Sequence, residues 1–186
     1  MAGTTSPKRQ NRKTRTKSRN RKSLQKPNGV ISPRVAKVGG ERFAIVCIDP
    51  AKYRSEWMMA DYFGNVLIPA QTLEHQAAFF KLAFASIREA QEKYKIQDLI
   101  ISIERTGNYH LIPKRAFAKA GFETRVVHPF ATKQFRMPAN PGNKTDETDL
   151  YAQHRAAVAG FGLAEMELES PYRELQIRIR HRRNLI

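Results

Sequence analysis

The stretch Lys144-Thr145-Asp146-Glu147-Thr148-Asp149 carries two aspartates three residues apart, after a loop rich in Pro, Gly and Asn and before an apolar-periodic run. As the first turn of a helix, the pair projects from one face. Acids in a first turn also suit the positive end of the helix dipole, so alone the pair implies no chemistry. Two other acids change its meaning. Asp49 closes the apolar run Phe43 to Ile48, and Glu104 closes a second run, Asp98 to Ile103. Each is also an ordinary strand-end acid when taken singly. Ligands in open α/β sheets collect outside the carboxyl ends of strands. If the two strands are parallel neighbours, their carboxylates face one another, and the Asp146/Asp149 helix brings two more. Four such groups repel and shift one another's pKa values, which makes cations between them the natural relief. Hard carboxylate oxygens select Mg²⁺ or Mn²⁺. Two such ions about 4 Å apart activate a water and stabilise the leaving oxygen of a phosphodiester.

The elements that must hold these acids are legible from patterning. Phe43–Ile48 reads as a buried central strand. A second strand is expected in Glu56 to Phe63 and a third in Val66 to Pro69, joined by the turn signal Gly64-Asn65. Thr72 is expected to cap a long helix with Leu73, Ala77, Phe80, Phe84 and Ile87 along its apolar stripe. Asp98–Ile103 is another buried strand. A helix follows from about His110 to Ala120, closed by Gly121. Phe122 to Val127 is a strand that His128-Pro129 stops. Met137 to Asn143 is loop, and the Asp146/Asp149 helix runs to about Ala159, ended by Gly160. Ser170-Pro171 opens a last helix whose apolar positions are Tyr172, Leu175, Ile179 and Ile186. It has no C-cap before Ile186, which suggests a truncated chain. A hairpin meander followed by alternating strand and helix predicts a mixed α/β sheet flanked by helices.

Charge narrows the partners. The 186 residues carry a net charge of +16, and about 12 of the 33 Lys and Arg precede Gly39, where no acid occurs. Residues 1–40 hold almost nothing apolar before Val30 and are expected to form a disordered basic arm. Lys8, Arg9, Arg12 and Lys13 are among the arm residues able to neutralise phosphates without reading sequence. The same charges also suit a solvated tail. The single Cys47, in an apolar run, excludes an intrachain disulfide and fits a cytoplasmic setting. No run is long enough to span a bilayer, and none follows the basic N-terminus as a signal sequence would require. The five histidines show no ligand spacing, so no zinc site is expected.

The motif series resembles a known family. Ile48-Asp49-Pro50-Ala51-Lys52, Glu104-Arg105-Thr106-Gly107-Asn108-Tyr109, His128-Pro129, Arg136 and Lys144-Thr145-Asp146-Glu147-Thr148-Asp149 are similar, in order, to the motifs of the DEDD transposases of insertion-sequence group one-hundred-and-ten. The N-terminal domain of that family resembles the junction resolvase RuvC. The likeness covers about residues 43 to 186. It implies an RNase H-like (RuvC-like) fold over residues 41–165 and the start of a coiled-coil helix at 170–186. It also implies two Mg²⁺ (or Mn²⁺) ions and a catalytic, metal-binding tetrad at Asp49, Glu104, Asp146 and Asp149. Implied partners are DNA, a structured guide (bridge) RNA and further copies of the chain, as dimer or tetramer, in a cytoplasmic, nucleoid-associated setting. The family pattern continues into a second domain bearing a nucleophilic serine, which this sequence lacks, and Pro50 stands where a β-branched or small residue is more usual.

Several residues are candidates for nucleic-acid contact. Thr106-Gly107 allows a sharp turn and close backbone approach to a phosphate, and equally suits a plain strand-to-helix turn. Lys144 and Arg136 are placed to meet phosphates or to be surface charges. Arg182 and Arg183 make the last helix basic. The leading expectation is the catalytic part of a DEDD transposase. The alternatives are a non-catalytic nucleic-acid-binding remnant and a stand-alone junction endonuclease. No Gly-rich phosphate loop follows Asp49, which counts against an actin-like ATPase.

Overall fold

The two apolar runs lie side by side at the centre of the sheet. In a computed structural model, residues 29–136, 145–164 and 170–183 are described, apart from the side chains of Asp146, Ser170, Arg173, Gln176, Ile177, Arg180 and Arg183. Strands β1 (Phe43–Pro50), β2 (Arg54–Asp61) and β3 (Val66–Glu74) form an antiparallel meander. Strand β4 (Asp98–Glu104) pairs parallel to β1, and β5 (Thr124–Val127) parallel to β4. A two-residue β6 (Gly162–Leu163) adds antiparallel to β5, giving the order β3-β2-β1-β4-β5-β6. This mixed sheet flanked by helices is the α/β architecture expected.

Side-chain alternation along β1 divides the core in two. Ala44, Val46 and Ile48 face helix α2 (Ala77–Lys93), which contributes Phe80, Ala83, Ile87 and Ala90, and helix α3 (Leu111–Lys119), which contributes Phe117. Phe43, Ile45 and Cys47 face the other way, onto Leu150 and Ala157 of helix α5 (Asp146–Val158). Burial pushes the Cys47 thiol pKa far up, as suits a small core hydrophobe. By the same period of two, Asp49 and Glu104 belong to the α5 face.

Several boundaries differ from expectation. Thr72 does not cap α2. It lies in β3, where its hydroxyl donates to Glu56 Oε1 at 2.8 Å, and Gln76 is the N-cap. Thr serves caps and strands alike, and a facing partner on β2 decides for the strand. His128-Pro129 does stop β5, and Pro129 then opens helix α4 (Pro129–Phe135), whose N-cap His128 accepts from the Phe130 amide. The turn at Gly64-Asn65 forms as expected, with Gly64 at φ 94° and the Asn65 amide bonded to Asp61 Oδ1 at 2.9 Å.

Within the span expected to be a basic arm, Ser32–Val38 forms helix α1. Ile31 is fully buried beside it among the residues of the α5 face. Arg34 grips Asp98 through Nε (2.8 Å to Oδ2) and Glu123 through Nη1 (2.7 Å), over the Phe43 ring. Helix α6 (Ser170–Arg183) begins where Ser170-Pro171 predicts, and Tyr172, Leu175 and Ile179 are exposed on it.

Candidate active site

Register brings the strand-end acids together. Ile48 lies opposite Ile103 in the parallel β1–β4 pair, so the next residues along are Asp49 and Glu104. In the antiparallel pair, Asp49 lies opposite Glu56. Directly opposed residues share a face, so the meander adds a third acid that sequence reading missed. Only the register reveals it, because Glu56 lies seven positions from Asp49 and carries no motif.

Helix α5 delivers the fourth. Its N-terminus is fixed by a reciprocal cap: the Thr148 amide donates to Thr145 Oγ1 (3.2 Å), and the Thr145 amide donates to Thr148 Oγ1 (3.1 Å). One turn in, Asp149 is buried. A further turn along, the buried Gln153 amide donates to the backbone oxygens of Ile48 (3.2 Å) and Ser102 (2.9 Å). Gln153 thus ties α5 to both central strands just before they reach Asp49 and Glu104. A buried carboxamide in an apolar helix stripe signals such a tie, but its partners lie 105 and 51 residues away in sequence.

The result is a cleft of about 460 Å³ lined by Asp49, Glu56, Glu104 and Asp149, with Lys52, Arg54 and Arg136 as its cations and Thr106 and Tyr109 on its rim. Arg136, a candidate for phosphate contact, meets Asp149 in the cleft. Its Nη2 donates to Asp149 Oδ2 at 2.9 Å, and its Nε lies 2.6 Å from Oδ1. The second contact is close but out of line for a hydrogen bond, so the buried Oδ1 accepts none. A second cavity, of about 370 Å³, adjoins through the Glu104–α3 turn and is lined by Arg105, Gly107, Asn108, His128 and Pro129. Gly107 adopts φ 53°, with open space where a Cβ would stand, so conformation rather than crowding favours glycine there.

Asp49, Glu104 and Asp149 of the expected tetrad therefore share one cleft, together with Thr106 and Arg136. The Asp146 side chain lies outside the described residues, as do Lys144, Lys8, Arg9, Arg12 and Lys13. Arg182 is exposed on α6, and the Arg183 side chain is also outside them. Among the described residues, no three His, Cys, Asp or Glu are gathered closely enough to hold one metal ion. The donor chemistry still fits a hard divalent cation. Every acid in the cleft offers oxygen, a buried carboxylate oxygen lacks a hydrogen bond, and a guanidinium already occupies the place of a cation beside it.

Residues 46–186 match the family model of the IS110-type DEDD transposases, described as a transposase. Among solved structures, similarity is found to Thermus thermophilus RuvC in complex with a Holliday junction substrate, at TM-score 0.42 and 11% identity over 66% of this chain and 99% of that one. A second T. thermophilus RuvC structure gives 0.33 and 15%, over 68% and 84%. A Ppx/GppA family member from Aquifex aeolicus gives 0.33 and 13%, over 53% and 39%. Such distant likeness transfers no chemistry. No curated protein matches the sequence.

Proposed function

The chain belongs to the IS110-type DEDD transposase family, and from that premise we propose that it carries the DNA-strand-cleaving centre of a transposase. The observation that supports this is the convergence of Asp49, Glu104 and Asp149 on one cleft from three separate elements. In this reading Asp49, Glu104, Asp146 and Asp149 hold two divalent ions, Mg²⁺ or Mn²⁺. Bound there, such ions supply an activated nucleophile and charge stabilisation at the leaving oxygen of a phosphodiester.

The chain's own residues do the rest. β1 and β4 hold two carboxylates at fixed register, and Gln153 fixes the distance of α5 from both strands. Lys52, Arg54 and the neighbouring Arg105 offer positive charge on either side of the acids, where the backbone of a bound strand would run. The chain's net charge of +16 favours nucleic acid generally. A structured guide RNA is the second partner of this reading, and assembly of several copies through α6 is part of it.

Cleavage of duplex and four-way-junction DNA, with and without Mg²⁺ or Mn²⁺, tests the proposal. Metal-dependent cleavage is expected, with a loss of about 10²-fold or more in Asp49→Asn, Glu104→Gln and Asp149→Asn and little loss of DNA binding. Cleavage that survives all three substitutions would refute the site. Binding of DNA or RNA with no cleavage at any metal concentration would support the non-catalytic remnant instead. Cleavage of junctions without RNA would mark a resolvase.

A further inference from the structure

The Arg136–Asp149 pair is unusual in where it sits. Asp149 has a side chain only 7% exposed, on a helix tied to the sheet, whereas Arg136 is 37% exposed at the end of the seven-residue α4. Asp49, Glu56 and Glu104 line the same cleft. A buried carboxylate among other acids needs a countercharge, since a lone charge in that setting is strongly disfavoured. Arg136 supplies it from the wall of the cleft, through a hydrogen bond from Nη2 to Oδ2 and an ion-pair contact of 2.6 Å between Nε and Oδ1.

We propose that Arg136 is an exchangeable counter-ion: it neutralises Asp149 in the metal-free protein, and a divalent cation entering the cleft displaces it. This rests on the reading of the cleft carboxylates as a metal site. The more exposed and less anchored partner is the one that moves, so α5 keeps its place while the arginine leaves the carboxylate. Metal affinity is then set partly by competition with the protein's own cation. Arg136 is in this sense a positioning residue for the site, holding the Asp149 carboxylate in place without metal.

The test uses the 186-residue chain, with Mn²⁺ titrated by calorimetry and thermal unfolding followed in chelator and in Mn²⁺. Arg136→Gln is expected to bind Mn²⁺ at least about tenfold more tightly than the parent, because the competitor is gone. It is also expected to unfold at lower temperature in chelator and to regain the difference in Mn²⁺. Arg136→Lys keeps the charge but loses the fork. It is expected to fold like the parent and to bind Mn²⁺ with intermediate affinity, which keeps the proposal testable if Arg136→Gln does not fold. Unchanged affinity in Arg136→Lys and Arg136→Gln, alongside loss of binding in Asp49→Asn, would overturn the counter-ion and leave the metal site standing. Mn²⁺ binding indifferent to Asp49, Glu104 and Asp149 would overturn both.

Discussion

Three consecutive functions share one helix face and its neighbour: Asp149 enters the cleft, Gln153 holds the strands, and His154 locks the far edge. His154 is buried, and its Nε2–H donates to the backbone oxygen of Asp61 at 2.8 Å. A carbonyl only accepts, so Nε2 carries a proton. Burial lowers its pKa, the Arg155 charge adds to that, and Asp61 opposes through its carbonyl and its charge. The folded state therefore binds fewer protons than the unfolded chain just below the ordinary histidine value. Stability from this group is complete above about pH 6.5 and declines as pH falls through the lowered folded pKa. Urea midpoints are expected to fall between pH 7.5 and pH 5.5. In His154→Gln that fall should be shallower, and an equally steep profile in the variant would remove His154 from the account. The aspartates and Glu104 were visible as residues because their positions at element ends carry a pattern. Gln153 and Glu56 were not, because a carboxamide's or carboxylate's partners are defined by register and packing.

At the scale of elements, the strands read best where apolar runs were uninterrupted, as in β1 and β4, and where glycine closed a helix, as Gly160 does at φ 88° after α5. Elements too short to show a period were missed: α4, and β6 with two residues. Helix α1 was hidden for a different reason. Its basic neighbours dominate the composition, while its anchor is a contact that composition cannot show. The Gly29 amide donates to Gly160 O at 3.0 Å, Gly29 O accepts from Arg125 at 2.8 Å, and Ile31 fills the core. A Cβ on Gly29 would stand 2.0 Å from Gly162 O and 2.6 Å from Gly160 O, both backbone. Gly29→Ala must therefore push α1 and the α5–β6 turn apart. A loss of about 1–3 kcal/mol is expected in denaturant unfolding. An unperturbed midpoint would mean that the segment before α1 does not hold this edge of the sheet.

For the whole molecule, charge is the leading property. The positive excess is concentrated before Gly39, whereas the acids of the cleft belong to strands β1, β2 and β4 and helix α5. Substituting Lys8, Arg9, Arg12 and Lys13 by alanine is expected to weaken duplex binding about equally across sequences. It should also flatten the dependence of log affinity on log salt by up to about 3 to 4, the share of released counterions that these four residues account for. Metal affinity of the cleft should not change. A salt slope identical to that of the parent would assign phosphate contact elsewhere. Among the described residues, no helix is long and apolar enough to cross a membrane.

By itself the sequence determined which side chains were available and where elements ended: Asp49 after one apolar run, Glu104 after another, and Asp146 and Asp149 at the start of a helix. These are local properties, set by periodicity, capping and strand alternation over a few residues. Only the tertiary structure decided that β1 and β4 are parallel neighbours in matching register, that Glu56 shares their face, and that Arg136 reaches Asp149. Those outcomes depend on which elements bury one another's apolar faces. No short-range pattern carries that information, because the choice is made by the packing of the whole sheet.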